Sequence, residues 1–286
     1  SCMQLDTLLA MLATPWCMGL IGLCIGSFLN VVIHRLPKML ERQWRIDSAA
    51  MLELPEKEEP ELNLVKPASR CPSCGHLIRW YENIPVLSWM FLRGKCSACK
   101  TPISVRYPLV EIGTALLFAA TSWRFHEHPV ALAWAVFVAI IVAAALIDWD
   151  TTLLPDDLTF PLLWAGLLAS LLGWTIPLSE AVIGAMVGYL SLWAVYWLFK
   201  LTTGKEGMGY GDFKLLAALG AWLGWQMVLP VVLGSSILGA AVGIIMKLSS
   251  QLREGRYVPY GPFLGGAGLF IMLAGPQKVL EWLGWA

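Results

Sequence analysis

Apolar runs long enough to cross a bilayer recur along this chain, and they constrain its fold more than any other feature. Leu8 to Ile33 is apolar apart from Thr14, Ser27 and Asn30, a length that covers about 30 Å of hydrocarbon. Further runs follow at 108–123, 129–147, 158–174, 180–199, 213–226, 229–247 and 262–283. Inside lipid every backbone polar group needs an internal partner, so such runs fold as helices. With 57% hydrophobic and 14% charged residues, the composition excludes an ordinary soluble domain. Fifteen tryptophans suit membrane interfaces. The expected fold is all-α and polytopic, with about eight transmembrane helices. No basic n-region or small-residue cleavage site precedes the first run, which reads as a retained span within residues 1–33. The run opening at Phe213 is short, and Gly220 and Gly224 are expected to make it irregular.

Between the first two runs lies a hydrophilic insertion, residues 34–106, holding 12 of the 20 Lys and Arg. Its first half, 38–67, is mixed in charge and reads as loosely structured, including the acidic run Glu56-Lys57-Glu58-Glu59-Pro60-Glu61. Its second half carries Cys71-Pro72-Ser73-Cys74 and Cys96-Ser97-Ala98-Cys99. Two Cys-x-x-Cys pairs at this separation read as a four-thiolate structural zinc site on Cys71, Cys74, Cys96 and Cys99. Gly75 and Gly94 fall where the knuckles turn, and residues 77–81 and 84–87 read as short strands. Redox-active or unliganded thiols are the competing reading. Thiolate zinc belongs in a reducing compartment, so the insertion is expected to be a small cytoplasmic domain, followed by a seven-span core over residues 107–286.

Charge tests that orientation. If 34–106 faces the cytoplasm, the loops near 148–157, 200–214 and 247–261 do too. Eighteen of the Lys and Arg then lie on that side, and only Arg124 and Lys278 on the other, a strong positive-inside pattern. The same topology puts Asp148 at the cytoplasmic end of one span and Asp212 at the cytoplasmic start of another. Carboxylates at membrane depth are costly and mark function. Two within about 3 Å share a proton, and such a pair can activate water and protonate a leaving amine. Asp156 and Asp157 follow Pro155 at a helix start and read as caps; Asp150 reads as a solvated turn residue. Before Asp212 stands Gly207-Met208-Gly209-Tyr210-Gly211, where glycine permits unusual backbone angles and close approach of an extended peptide.

Other chemistries lack their motifs. No Gly-x-Ser-x-Gly elbow, His-Glu-x-x-His helix or Walker loop is present. Basic loops explained by topology leave no nucleic-acid signature.

Gly26-Ser27-Phe28-Leu29-Asn30, His34-Arg35-Leu36-Pro37, the two cysteine pairs, Asp148, Leu154-Pro155-Asp156, Gly207 to Lys214 and Pro259-Tyr260-Gly261-Pro262 occur in that order. Together they resemble the bacterial type IV prepilin peptidases over nearly the whole chain. The resemblance implies a Gly-x-Gly-Asp aspartic peptidase of the inner membrane with Asp148 and Asp212 as its catalytic pair. It places Gly207, Gly209, Gly211 and Lys214 on the substrate side. It further implies cleavage of a basic leader after glycine in prepilins or type II secretion pseudopilins. Methylation of the new N-terminus from S-adenosylmethionine follows from the same likeness. No Gly-x-Gly-x-x-Gly turn marks the methyl donor's site, so Asn30–Arg35 and the zinc domain are where it is sought. A proton-coupled transporter or a non-enzymatic assembly scaffold would also carry an acidic pair, though no inverted repeat is visible. Oligomeric state is not legible.

Overall fold

A computed structural model describes residues 10–55, 61–126, 128–249 and 258–285. Residues 56–60 of the acidic run, Cys2, Arg253 and Arg256 lie outside them. The chain divides into two compact units, residues 14–119 and residues 1–13 with 120–286.

The first unit is built on α1 (Pro15–Met51), 37 residues long and opened by Pro15 at its first turn, where proline's missing N–H costs nothing. The loose structure expected for 38–67 is overturned for 38–51, which continue the helix through Pro37. Polar contacts one turn apart support this extension: Lys38 Nζ lies 2.9 Å from His34 Nε2, and Gln43 donates to Asp47 at 2.8 Å. Arg35 then straps the returning chain to the helix, donating to the Asn63 carbonyl at 3.0 Å and to the Pro67 carbonyl at 2.7 Å. Gly22 and Gly26 bring α1 against α3 (Arg106–Arg124), where a methyl group on either would overlap the Ala115 or Glu111 backbone. Asn30 donates across that seam to the Tyr107 carbonyl at 3.1 Å, as an amide in an apolar helix should.

The strands expected at 77–81 and 84–87 are replaced by a 3₁₀ turn (Trp80–Asn83) and the short helix α2 (Leu87–Phe91). Glu82 accepts the Arg79 N–H at 2.8 Å and closes the turn, which takes this backbone out of an extended conformation. Among the described residues β structure is limited to two isolated bridges, Arg70 with Leu77 and Lys95 with Pro102. Each closes the base of one cysteine knuckle. Val86 enters α2 at φ 59°, a left-handed conformation that costs a β-branched residue about 1–3 kcal/mol. Its N–H is held by the buried Glu111 carboxylate at 2.7 Å, which fastens α2 to α3.

The second unit is a helical bundle: α4 (His128–Thr151), α5 (Asp156–Leu171), α6 (Leu178–Thr203), α7 (Tyr210–Leu223), α8 (Val228–Leu248), α9 (Gly261–Ala274) and α10 (Pro276–Leu283). Its centre is α7, in which every residue from Asp212 to Leu223 except Lys214 is buried. Glycines let the neighbours in. Gly184 of α6 meets Gly220 so closely that a methyl group on either would overlap the other's carbonyl, the small-residue packing that membrane helices use. Gly166 of α5 lies under the Trp222 indole, whose N–H donates to the Leu162 carbonyl at 2.8 Å. Gly268 of α9 receives Leu219. Contrary to the expected irregularity, Gly220 leaves α7 regular and seats it; Gly224, at φ 90°, ends it.

A helix lies at each of the eight apolar runs. Among the described residues four helices are long and apolar enough to cross a membrane, Pro15–Met51, Pro129–Thr151, Leu178–Thr203 and Trp225–Leu248. The pair α9 and α10, bent by 101°, makes a fifth if it is one broken span. The 14 residues of α7 reach only about 21 Å, short of about 30 Å of hydrocarbon.

Candidate active site and metal centre

Asp148 sits in the last turn of α4 and is 5% exposed; Asp212 sits in the first turn of α7 and is 8% exposed. Although 64 residues separate them in sequence, Leu154 packs both against Gly211, beside Asp212, and against Gly261, which contacts Asp148. The bundle thus brings both predicted carboxylates into one site.

Leu154, from the link between α4 and α5, forms the common wall. A methyl group on Gly211 would lie 2.7 Å from Leu154 Cβ, and one on Gly261 would lie 3.2 Å from Leu154 Cδ1. The glycines before Asp212 serve space rather than backbone freedom, since none of Gly207, Gly209 and Gly211 has positive φ. Gly207 faces the Phe199 ring, 2.9 Å from an added methyl, and Gly211 faces Leu154. At Gly209 an added methyl would meet only Asp212 Oδ2, at 3.9 Å, so this glycine borders the carboxylate with room beside it. The loop is held from outside. Gly204 ends α6 in the left-handed conformation, and Lys200 donates to Glu206 at 2.8 Å and to the Tyr196 hydroxyl at 3.2 Å. The rings of Tyr196, Tyr210 and Phe213 pack together behind it.

Lys214 points to Asp156, with Nζ 2.7 and 2.8 Å from the two carboxylate oxygens, and lies over the Phe160 ring. It ties the start of α7 to the start of α5. Asp156 is accordingly an ion-pair partner in the first turn rather than a cap; the capping position is Pro155, without a side-chain bond. Asp157 shares that first turn, and Asp150 is exposed.

A third contributor comes from residues 113 positions away. The Gly261 N–H, the first of α9, donates to Asp148 Oδ2 at 2.9 Å, and a methyl group at Gly261 would sit 2.6 Å from that oxygen. Only glycine admits the carboxylate here. Accepting this N–H fixes the position of Asp148 Oδ2. The preceding Tyr260 fixes this helix start: its hydroxyl lies 2.6 Å from Ser235 Oγ, 3.0 Å from Ser236 Oγ and 3.3 Å from the Val232 carbonyl, all on α8. The sequence marks Tyr260-Gly261 only as part of a motif. The signal that was available is the glycine between Tyr260 and Pro262, at the start of an apolar helix.

In the first unit, Cys71, Cys74, Cys96 and Cys99 place one sulfur each within 4.8 Å of all the others. The Cys71 and Cys99 sulfurs are 3.8 Å apart, the edge of a tetrahedron with metal–sulfur bonds of about 2.3 Å. That separation is nearly twice a disulfide's, and all four cysteines are free. The set fits a tetrahedral thiolate metal. His76 is not a ligand; its Nε2 lies 3.3 Å from Glu82 and 3.2 Å from Ser97 Oγ. Donors led by the Arg79 N–H hold the Glu82 carboxyl down to about 2. Between residues 61 and 107 only Cys71, Gly94 and Cys96 are buried, so this segment has no apolar core to fold around.

Residues 20–125 match the bacterial peptidase A24 N-terminal domain and residues 135–244 the type IV leader peptidase family. Three similar proteins bear the name prepilin leader peptidase/N-methyltransferase. That of Pseudomonas putida is 53% identical over 257 residues, covering 90% of this chain and 89% of its own length. That of Pseudomonas aeruginosa is 51% identical, covering 96% and 95%. That of Dichelobacter nodosus is 52% identical, covering 91% of each. No solved structure matches the chain.

Proposed function

Because the chain belongs to the type IV leader peptidase family, we propose that it removes the basic leader from type IV prepilins or type II secretion pseudopilins and methylates the new N-terminus. The observation that carries the peptidase reading is the burial of Asp148 and Asp212 in one site, with an open edge at Gly209. One carboxylate takes a proton from water as it attacks the scissile carbonyl; the other gives a proton to the departing amine. Gly261 fixes the Asp148 oxygen through its N–H, so the pair is aimed before a peptide arrives. The extended leader junction lies along Gly207–Gly211, where the missing side chain at Gly209 leaves space. Lys214 contributes by locking α7 to α5.

Segment roles follow. Residues 1–33 anchor the chain, residues 34–106 form a cytoplasmic segment folded by zinc on Cys71, Cys74, Cys96 and Cys99, and residues 107–286 hold the peptidase site. The enzyme resides in the bacterial inner membrane with site and zinc segment facing the cytoplasm, the orientation that positive charge favours. S-adenosylmethionine, when bound, supplies an electrophilic methyl group and leaves as a neutral thioether. The test is direct: purified enzyme in detergent, a prepilin and the methyl donor should give a product shortened by the leader and heavier by one methyl. Asp148→Asn or Asp212→Asn should leave the leader attached, and a variant that still trims it ends the assignment.

A further inference from the structure

Around the 3₁₀ turn and α2 the first unit holds a cavity of about 670 Å³, inside the range of cofactor-sized pockets, about 300–1,000 Å³. One wall is apolar and exposed: the Phe91 side chain is 83% exposed, Leu87 50% and Tyr81 44%. A domain with no core of its own gains nothing by showing these groups to water. The opposite wall is polar and rigid. Glu82 is gripped by the Arg79 N–H, His76 and Ser97, and His76 and Ser97 belong to the two cysteine knuckles, so the metal centre braces the cavity floor. Arg79 also lines the cavity; its guanidinium lies over the Tyr81 ring, donates to the Tyr81 hydroxyl at 2.5 Å and, among the described residues, donates to no carboxylate. The site therefore offers flat apolar faces, one fixed carboxylate and one cation whose remaining donors are open.

We infer that this cavity binds S-adenosylmethionine as the methyl donor, an inference that rests on the methylation reading above. The match is chemical. A purine ring seats on the exposed Phe91 face, a sulfonium cation finds the Glu82 charge, and the amino-acid carboxylate pairs with the planar Arg79 fork. No glycine-rich nucleotide turn is needed, since Arg79 and aromatic surface take over its task.

The experiment is equilibrium dialysis of the full-length enzyme in detergent with radiolabelled S-adenosylmethionine. Arg79→Ala and Phe91→Ala should each weaken binding at least about tenfold, the cost of one charge-assisted contact or one stacked ring. Met90→Ala, exposed on the same short helix but outside the cavity, should bind as the parent does. Ultraviolet crosslinking of the labelled donor followed by peptide mapping covers the case in which a variant fails to fold. Label within residues 76–98 supports the site, and label confined elsewhere overturns it. Unchanged binding in both variants also overturns it while leaving methylation intact. A parent enzyme that neither binds the donor nor methylates a trimmed pilin would instead remove the methylation reading itself.

Discussion

The two units solve the problem of holding a polar site in opposite ways. In the bundle around α7, helix backbones touch through Gly184, Gly220, Gly166 and Gly268, and the buried aspartates inherit rigidity from that packing. In the segment between residues 61 and 107 almost nothing is buried, and order comes from four sulfurs, the Glu82 cap and the straps from Arg35 and Glu111. Packing gives a buried, fixed site suited to proton transfer by two carboxylates. Ligation and strapping give an open, exposed surface suited to a soluble molecule that enters and leaves.

That contrast can be broken in order of expected effect. Stripping the metal, or Cys71→Ser with Cys96→Ser, should unfold residues 61–105, because structural zinc contributes about 10–16 kcal/mol in small thiolate sites. Proteolysis should then cut there while the bundle stays intact by circular dichroism. If both units melt together, the two modes of folding are not separable. Next, Asp148→Asn or Asp212→Asn should lower the cleavage rate by about 10³-fold or more with an unchanged melting temperature. Gly261→Ala places a methyl group against Asp148 and should cost about 10²-fold in kcat, the usual effect of a roughly 1 Å misplacement. The smallest effect belongs to Tyr260→Phe. Losing a hydroxyl that three α8 groups contact removes about 1 kcal/mol, so kcat should fall less than about tenfold with KM unchanged. A larger change in KM than in kcat would mean that Tyr260 shapes the peptide groove instead.

What the sequence made legible was local. Apolar runs found a helix at every expected position, the Cys-x-x-Cys pairs found their cluster, and two acids at membrane depth found each other. Contacts that join distant segments were not legible. Nothing near Asp148 announces that the Gly261 N–H will meet it, and nothing in Gly220 reveals that Gly184 lies opposite. Residues 38–51 misled because mixed charge reads as a solvated loop, whereas one-turn contacts and the Arg35 strap make it helical. An apolar run shows that a segment is buried, not whether lipid or protein buries it. In α7 protein does so on all sides.

The long first helix has a consequence of its own. Thirty-seven residues extend about 55 Å, roughly 25 Å more than the hydrocarbon needs. Its apolar part is a ruler: the chain returning at Asn63 to Pro67 is clipped to Arg35, just where the helix leaves its apolar stretch and its surplus begins. The place of the cysteine segment along the helix is thereby set by counting residues. Each residue inserted before Arg35 would raise that clip by about 1.5 Å and swing it about 100° around the axis.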